Sequence, residues 1–176
     1  MEEIRRVMVP LDAVSIGVLL VTAFAPLPVD GIQRALGRIG APSWRPVEEV
    51  VSAAIERLLD RHWLAFAPPV EAETICLVPT AAARARLPGL LKALPPSNAA
   101  PDIAYKLKIM GLDLLDREAR RQQIEELSGH WQGVLALWQE AERDCPCVQP
   151  SVRQWMTHNA RLARSEIDWL ASIAGA

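Results

Sequence analysis

Two cysteines on either side of a proline, Cys145 and Cys147, are the residues whose type and spacing come nearest to a chemical site. Thiolates at this spacing can chelate a soft ion such as Cu(I). A closed zinc site needs four ligands, and its cysteine pairs are usually two to four residues apart. The remaining cysteine, Cys76, is distant in the chain, and only His130 and His158 could add nitrogen ligands nearby. Two unrelated turn cysteines are the simpler interpretation, and we expect no metal.

Catalytic motifs are not recognisable in the sequence. It contains no nucleophile elbow, phosphate-binding loop, paired-carboxylate site or zinc-protease signature. His62 stands where a helix is predicted to end, and the helix dipole favours a cation there. Capping therefore accounts for His62 better than catalysis does. We expect no catalytic residue, no cofactor and no enzymatic activity.

Tryptophan is unusually frequent, with six residues against two phenylalanines and one tyrosine. Trp131 and Trp138 are seven residues apart and would share a helical face. Trp155 and Trp169 are two heptads apart in the last predicted helix, and Asn159 falls near the same face. These tryptophans either pack the core of a dimer or line a slot for a flat aromatic ligand. The predicted ligand-binding residues are Trp131, Trp138, Trp155 and Asn159.

Composition and charge limit the class of protein. The 176 residues carry a net charge of −2, and their isoelectric point is about 5.9. Residues 1–96 balance ten basic against ten acidic side chains. Such a chain does not coat nucleic acid nonspecifically, so any DNA binding must come from a local patch. The apolar run near the start is too short to span a bilayer, no signal peptide is recognisable, and the odd cysteine count favours a reducing, cytoplasmic location.

Hydrophobic periodicity predicts a mainly helical chain. The first helices are predicted over 12–24, 29–39 and 46–62, followed by a β-hairpin over 63–67 and 74–78 and by a helix over 80–94 that Pro88 interrupts. A linker is predicted over 95–102. A long helix is predicted from Ile103 to Ser128, and Gly129 and Gly133 leave open whether it continues to Glu142. The last helix is predicted over 152–173.

This order predicts a winged helix-turn-helix domain with a small β-hairpin wing, followed by a two-helix dimerisation region. We place the winged helix-turn-helix domain at 1–94, the linker at 95–102 and the C-terminal helical region at 103–176. The C-terminal helices carry more apolar surface than one chain can bury, and pairing with a second copy would cover it. The predicted dimer residues are Leu107, Met110, Leu114, Trp155, Leu162, Trp169 and Leu170.

Several short segments resemble the PadR family of winged-helix transcriptional regulators. "SIGVLLVTAFAPLPVDGIQRAL" (15–36) is similar to the family's opening helices, "AAIERLLDRHWLAF" (53–66) to its third helix and first wing strand, and "ETICLVPTAAARARL" (73–87) to its second wing strand. "IMGLDLLDREARRQQIEEL" (109–127) and "ARSEIDWLASIA" (163–174) resemble its dimerisation region. The third helix departs from the family pattern, with "PVEEVVSA" in place of Ser/Thr-Leu-Tyr. His62 or Trp63 replaces a common glycine after that helix, and Ala82 and Ala83 another after the wing.

The resemblance implies a dimeric DNA-binding regulator, a repressor, with a possible small aromatic effector near the dimer helices. Two copies would present their third helices to a two-fold-related operator on double-stranded DNA. The candidate DNA-binding residues are Arg34, Arg38, Ser43, Trp44, Arg45, Ser52, Arg57, Arg61 and Arg84. The third helix also carries Glu48, Glu49, Glu56 and Asp60, which phosphates would repel. The alternative is therefore a winged-helix protein–protein interaction module, or an anti-regulator, that no longer reads DNA.

Overall fold

The computed structural model describes residues 11–40, 44–68, 75–94, 101–144 and 149–174. Its elements are α1 (Ala13–Phe24), α2 (Val29–Gly40), α3 (Glu48–Asp60), β1 (Leu64–Phe66), β2 (Leu77–Pro79), α4 (Ala81–Ala93), α5 (Pro101–Gly111), a 3₁₀ turn (Leu112–Leu114), α6 (Arg117–Asp144) and α7 (Pro150–Ala174). This order confirms the predicted fold class, a mainly helical chain with a winged helix-turn-helix and a C-terminal helical pair. No described helix is long and apolar enough to cross a membrane.

The chain divides into two compact units, Met1–Leu114 and Leu115–Ala176. The first unit includes α5, which packs against α1 and α4. The sequence-based division instead placed residues 103–114 in the C-terminal region. The difference arises because Ile103, Ala104 and Leu107 bury their side chains in the core of the first unit.

Helix α1 forms the centre of the first unit. Its side chains from Ser15 to Thr22 are all buried, since α2, α3, α4 and α5 pack around it. Asp12 caps its start by accepting a hydrogen bond from the Ser15 amide at 2.7 Å. Gly17 allows Leu36 of α2 to approach, and a Cβ atom there would lie 2.8 Å from the Leu36 Cδ2 atom. Burial on every side thus explains why α1 is apolar all round.

The wing is a two-stranded antiparallel hairpin in which Leu64 pairs with Pro79 and Phe66 with Leu77. The second strand lies later than the predicted 74–78, and residue 74 is outside the described residues. Leu27 forms an isolated β-bridge to Leu77, because its amide and carbonyl both hydrogen-bond to Leu77, at 3.3 and 2.8 Å. The sequence indicated only a helix stop at Leu27, so the bridge that ties the wing to the α1–α2 connection was missed.

Helix α3 is shorter than the predicted 46–62. Pro46 stays outside it, and the Pro46 carbonyl accepts a hydrogen bond from the Gln33 side chain at 2.8 Å. The helix ends before His62, whose φ is 56°. This left-handed conformation suits glycine best, and a side chain there costs free energy. His62 therefore occupies the kind of backbone position at which a glycine was expected from the family resemblance.

The predicted long helix from Ile103 is wrong, because it is interrupted between Gly111 and Asp116. Helix α5 ends at Gly111, where a Cβ atom would lie 2.3 Å from the Leu91 Cδ1 atom of α4. After the 3₁₀ turn, Asp116 caps α6 by accepting a hydrogen bond from the Ala119 amide at 2.8 Å. Helix α6 then runs without a break through Gly129 to Asp144.

The second unit is an antiparallel hairpin of α6 and α7. Toward the end of α6 and the start of α7, the Trp138 and Trp155 rings contact each other, and Thr157 donates a hydrogen bond to Glu142 at 3.2 Å. Arg120, at the start of α6, donates to the carbonyl of Ile173 at the end of α7. Leu170 is fully buried between the helices. The predicted helical pair is therefore present.

Candidate nucleic-acid interface and ligand site

Helices α2 and α3 form the helix-turn-helix, and the chain enters α3 through Trp44 and Arg45. Trp44 is half-buried and Arg45 is exposed. Ser43, also predicted to contact DNA, lies outside the described residues. Side chains at the start of a recognition helix are the ones that first reach base edges in winged-helix and helix-turn-helix proteins. Arg45 is thus exposed at the entry to α3.

The exposed face of α3 is acidic. Glu49, Glu56 and Asp60 recur at spacings of seven and four, which aligns them on one side of the helix, and all are exposed. Glu48 is exposed beside them at the first turn. None of these four carboxylates forms an ion pair with another residue that the structure describes. The face that a recognition helix would turn to DNA thus carries uncompensated negative charge.

Arg57 is exposed, but its side chain has partners within the protein. Its guanidinium donates to the Asp12 carboxylate at 2.8 Å and approaches the Ser15 hydroxyl at 3.3 Å. Asp12 is itself the cap of α1. The Arg57 side chain therefore ties α3 to the start of α1, and the sequence-based assignment of Arg57 to DNA omitted this contact.

Two other predicted DNA contacts also have partners within the protein. Arg34 forms an ion pair with Asp30 one turn earlier in α2, and the hydrogen bond from Arg34 lowers the pKa of the Asp30 carboxyl. Arg84 donates to the Ala23 carbonyl at 3.0 Å and so closes the end of α1. The side chains of Arg34 and Arg84 are both exposed to solvent even though each has a partner within the protein.

Three of the predicted cations remain available. Arg38 at the end of α2, Arg45 before α3 and Arg61 after it are exposed and have no ion pair with any residue in the described ranges. Ser52 is half-buried on α3. Arg38, Arg45 and Arg61 are therefore the arginines of this set that are exposed and without an ion-pair partner among the described residues.

A groove of about 610 Å³ separates the start of α2 from the start of α3. Val29, Val51 and Ile75 give it an apolar lining, and polar side chains complete its wall: Asp30, Gln33, Arg34, Glu48 and Ser52. Ile75, two residues before β2, is 71% exposed. No sequence pattern predicted this groove, because its lining residues are scattered over α2, α3 and the segment just before β2.

The predicted aromatic ligand residues are only partly brought together. The Trp138 and Trp155 rings meet edge to face with centroids 4.9 Å apart. Asn159 lies one turn after Trp155 and donates to the Trp155 carbonyl at 2.7 Å. Trp131, two turns before Trp138 in α6, has its ring edge to face with His130. Trp138 and Trp155 therefore pack against each other, and Asn159 is bonded within its own helix.

The predicted dimer residues fall into three groups by exposure. Trp155, Leu162 and Trp169 are 54%, 50% and 41% exposed and follow one line along α7 at a spacing of seven. Leu107 and Leu170 are fully buried within the chain, so neither is available to a partner. Met110 and Leu114 are half-buried. The apolar surface open to a second copy is thus the Trp155–Leu162–Trp169 row.

The cysteines do not assemble into a site in the described part of the chain. Cys76 is half-buried beside the wing, and Cys145 and Cys147 lie outside the described residues. Among the residues that the structure describes, no group of three or more metal-ligating side chains occurs.

These elements define a winged helix-turn-helix protein with an appended helical hairpin. Over 93% of its length, the chain is similar to the crystal structure of Bacillus subtilis PadR in complex with operator DNA, with 98% of that chain covered, 14% identity and a TM-score of 0.43. The same values hold for B. subtilis PadR in complex with p-coumaric acid. The Vibrio cholerae virulence activator AphA matches with 17% identity, 92% and 96% coverage and a TM-score of 0.38. No protein-family model and no curated protein sequence matches the chain.

Proposed function

We propose that this protein is a dimeric winged-helix regulator of transcription that binds double-stranded DNA and acts as a repressor. The observation that carries the proposal is the helix-turn-helix joined to a hairpin wing, with Arg45 exposed at the entry to α3. Arg38 and Arg61 supply further cations at the ends of α2 and α3. No catalysed reaction is proposed: the protein would act by binding DNA and by changes in its affinity for DNA.

Dimerisation is proposed through α7. The Trp155–Leu162–Trp169 row is symmetric about Leu162. Two copies of α7 in antiparallel orientation would therefore bring the two Leu162 side chains together and each Trp155 near a Trp169. Covering large aromatic side chains that are about half exposed supplies the apolar burial that association requires.

An aromatic effector is proposed at the Trp138–Trp155 pair. Of the two solved PadR complexes to which the chain is similar, one contains p-coumaric acid. Asn159 could donate to a phenolic or carboxylate oxygen by exchanging its bond to the Trp155 carbonyl, which is made within the same helix. A ligand that binds one conformation of the dimer better than another would shift the population of DNA-binding molecules.

A mobility shift on sheared genomic DNA tests the DNA-binding part of the proposal. Some fragment should bind with Kd below about 1 μM at low salt, and binding should weaken steeply as salt is raised. Sedimentation of the free protein tests the dimer independently. A chain that sediments as a monomer and retains no fragment at low salt would refute the proposal.

The second candidate function is a winged-helix module that binds a protein partner. The uncompensated carboxylates of α3 favour it, since Glu48, Glu49, Glu56 and Asp60 would oppose phosphates in a DNA groove. This module would keep the fold and the α7 surface and would leave DNA fragments unretarded.

A further inference from the structure

We infer that the groove between α2 and α3, together with the acidic face of α3, is a docking surface for a short cationic, partly apolar peptide segment of another protein. This docking surface rests on the second candidate function, because it requires that α3 contact a protein partner.

The groove offers apolar burial. Val29, Val51 and Ile75 line it, and Ile75 is an isoleucine with 71% of its surface exposed. A volume of about 610 Å³ lies within the range of about 300–1,000 Å³ that is usual for sites that hold a ligand. One or two aliphatic side chains of a partner would find apolar contacts there.

Charge determines which partner fits. Glu48 borders the groove, and Glu49, Glu56 and Asp60 continue the negative charge along α3. The arginine on the α2 side is already neutralised by Asp30. An occupant with lysine or arginine side chains would therefore gain attraction along the carboxylate face of α3, where the phosphates of DNA would be repelled. Arg45 and Arg61, the cations open to a phosphate, lie before and after the helix.

Length argues for a peptide rather than a small molecule. Glu48 and Asp60 stand twelve residues apart in the sequence, which corresponds to about 18 Å along a helix axis. A ligand confined to the groove would reach Glu48 and not Asp60. A segment of several residues, with cations spaced along it, would reach both.

Binding of a labelled twelve-residue peptide of alternating lysine and leucine, followed by fluorescence anisotropy at low salt, tests the inference. Two control peptides of the same length replace lysine by glutamate or leucine by serine. The lysine–leucine peptide should bind at least tenfold more tightly than either control. Equal binding of the glutamate–leucine peptide would overturn the inference, because charge would then not select the occupant.

Protein variants locate the surface. The double variant Glu49→Gln/Glu56→Gln should weaken the lysine–leucine peptide by about fivefold at low salt, and Ile75→Ser should weaken it comparably. Glu140→Gln, at an exposed position of α6, is the matched control and should leave binding unchanged. The inference fails if the double variant binds as wild type does, or if Glu140→Gln weakens binding equally.

The same double variant separates a peptide surface from a DNA surface. Removing two carboxylates should weaken the peptide but should strengthen any nonspecific binding of duplex DNA, since repulsion of phosphates is relieved. Displacement of the peptide by equimolar duplex DNA would assign the surface to nucleic acid and overturn the inference. If the protein retards DNA but does not bind the peptide, only the peptide-docking inference is rejected. If it binds the peptide but does not retard DNA, only the DNA-binding proposal is rejected.

Discussion

Replacing Gly111 by alanine tests whether α5 belongs to the winged-helix unit. A Cβ atom at Gly111 would lie 2.3 Å from the Leu91 Cδ1 atom, 3.2 Å from Cδ2 and 3.3 Å from Cγ. Ordinary van der Waals contacts to Cβ atoms lie at 3.4–4 Å. Leu91 is fully buried, so it has no solvent to move into. Either its side chain leaves its preferred rotamer or α5 separates from α4.

The expected cost follows from these contacts. Overpacking of a closed core costs about 1–3 kcal/mol, and the better helix propensity of alanine returns at most about 1 kcal/mol. Gly111→Ala should therefore lower the free energy of unfolding by up to about 2 kcal/mol, or the Tm of the first unit by up to roughly 10 °C. Chemical and thermal unfolding followed by circular dichroism measure both quantities.

Gly37→Ala is the matched control in the same unit. Gly37 lies inside α2, and a Cβ atom there would meet nothing within 4 Å. Gly37→Ala should therefore raise the free energy of unfolding by about 0.5–1 kcal/mol. If Gly111→Ala also raises the stability, α5 does not lie against α4, and the assignment of residues 103–114 to the first unit is refuted.

Three further substitutions test local contacts. Arg57→Ala should destabilise the α1–α3 packing by about 0.2–1 kcal/mol at low salt, since the Arg57 and Asp12 side chains are 45% and 55% exposed; a low-salt Tm equal to that of wild type would contradict this. His62→Gly should raise stability by about 0.5–1 kcal/mol because φ at His62 is 56°, and a loss in denaturant unfolding would contradict it. Hydrogen bonds from Arg121 and Gln122 lower the pKa of Glu118, so Glu118 stabilises α6 above its unfolded pKa and loses this effect as pH falls through the lower, folded value. Glu118→Gln should flatten that acid limb in a pH series of the Tm, and an unchanged limb would count against it.

The helices and the wing were predictable from the sequence because hydrophobic periodicity and proline positions act locally. The Leu27 bridge was not, since a single paired residue has no periodicity. The interruption between α5 and α6 was also missed, although Asp116 caps α6, because the polar, helix-favouring segment after Asp116 predicts a continuation of the preceding helix. Gly129 did not break α6, because a helix tolerates an isolated glycine.

The candidate site was predictable in residue type but not in role. Arg57 and Arg84 are basic residues near α3 and the wing, as DNA contacts would be, yet their partners Asp12 and Ala23 are 45 and 61 residues away in the chain. Leu107 was assigned to a dimer because it is apolar in a C-terminal helix, although it is buried against α1. Long-range packing decides these roles, and sequence spacing does not record it.

The most direct test of the central claim, that the winged-helix unit binds DNA through its exposed arginines, is a mobility shift with Arg45→Ala/Arg61→Ala beside Arg34→Ala. Arg34 already has Asp30 as its partner, whereas Arg45 and Arg61 have no ion pair among the described residues. The double variant should lose retardation of the selected fragment and reduce the slope of log K against log salt by about two. Arg34→Ala should retain most of the binding. Undiminished retardation by the double variant, with its circular dichroism unchanged, would contradict the account.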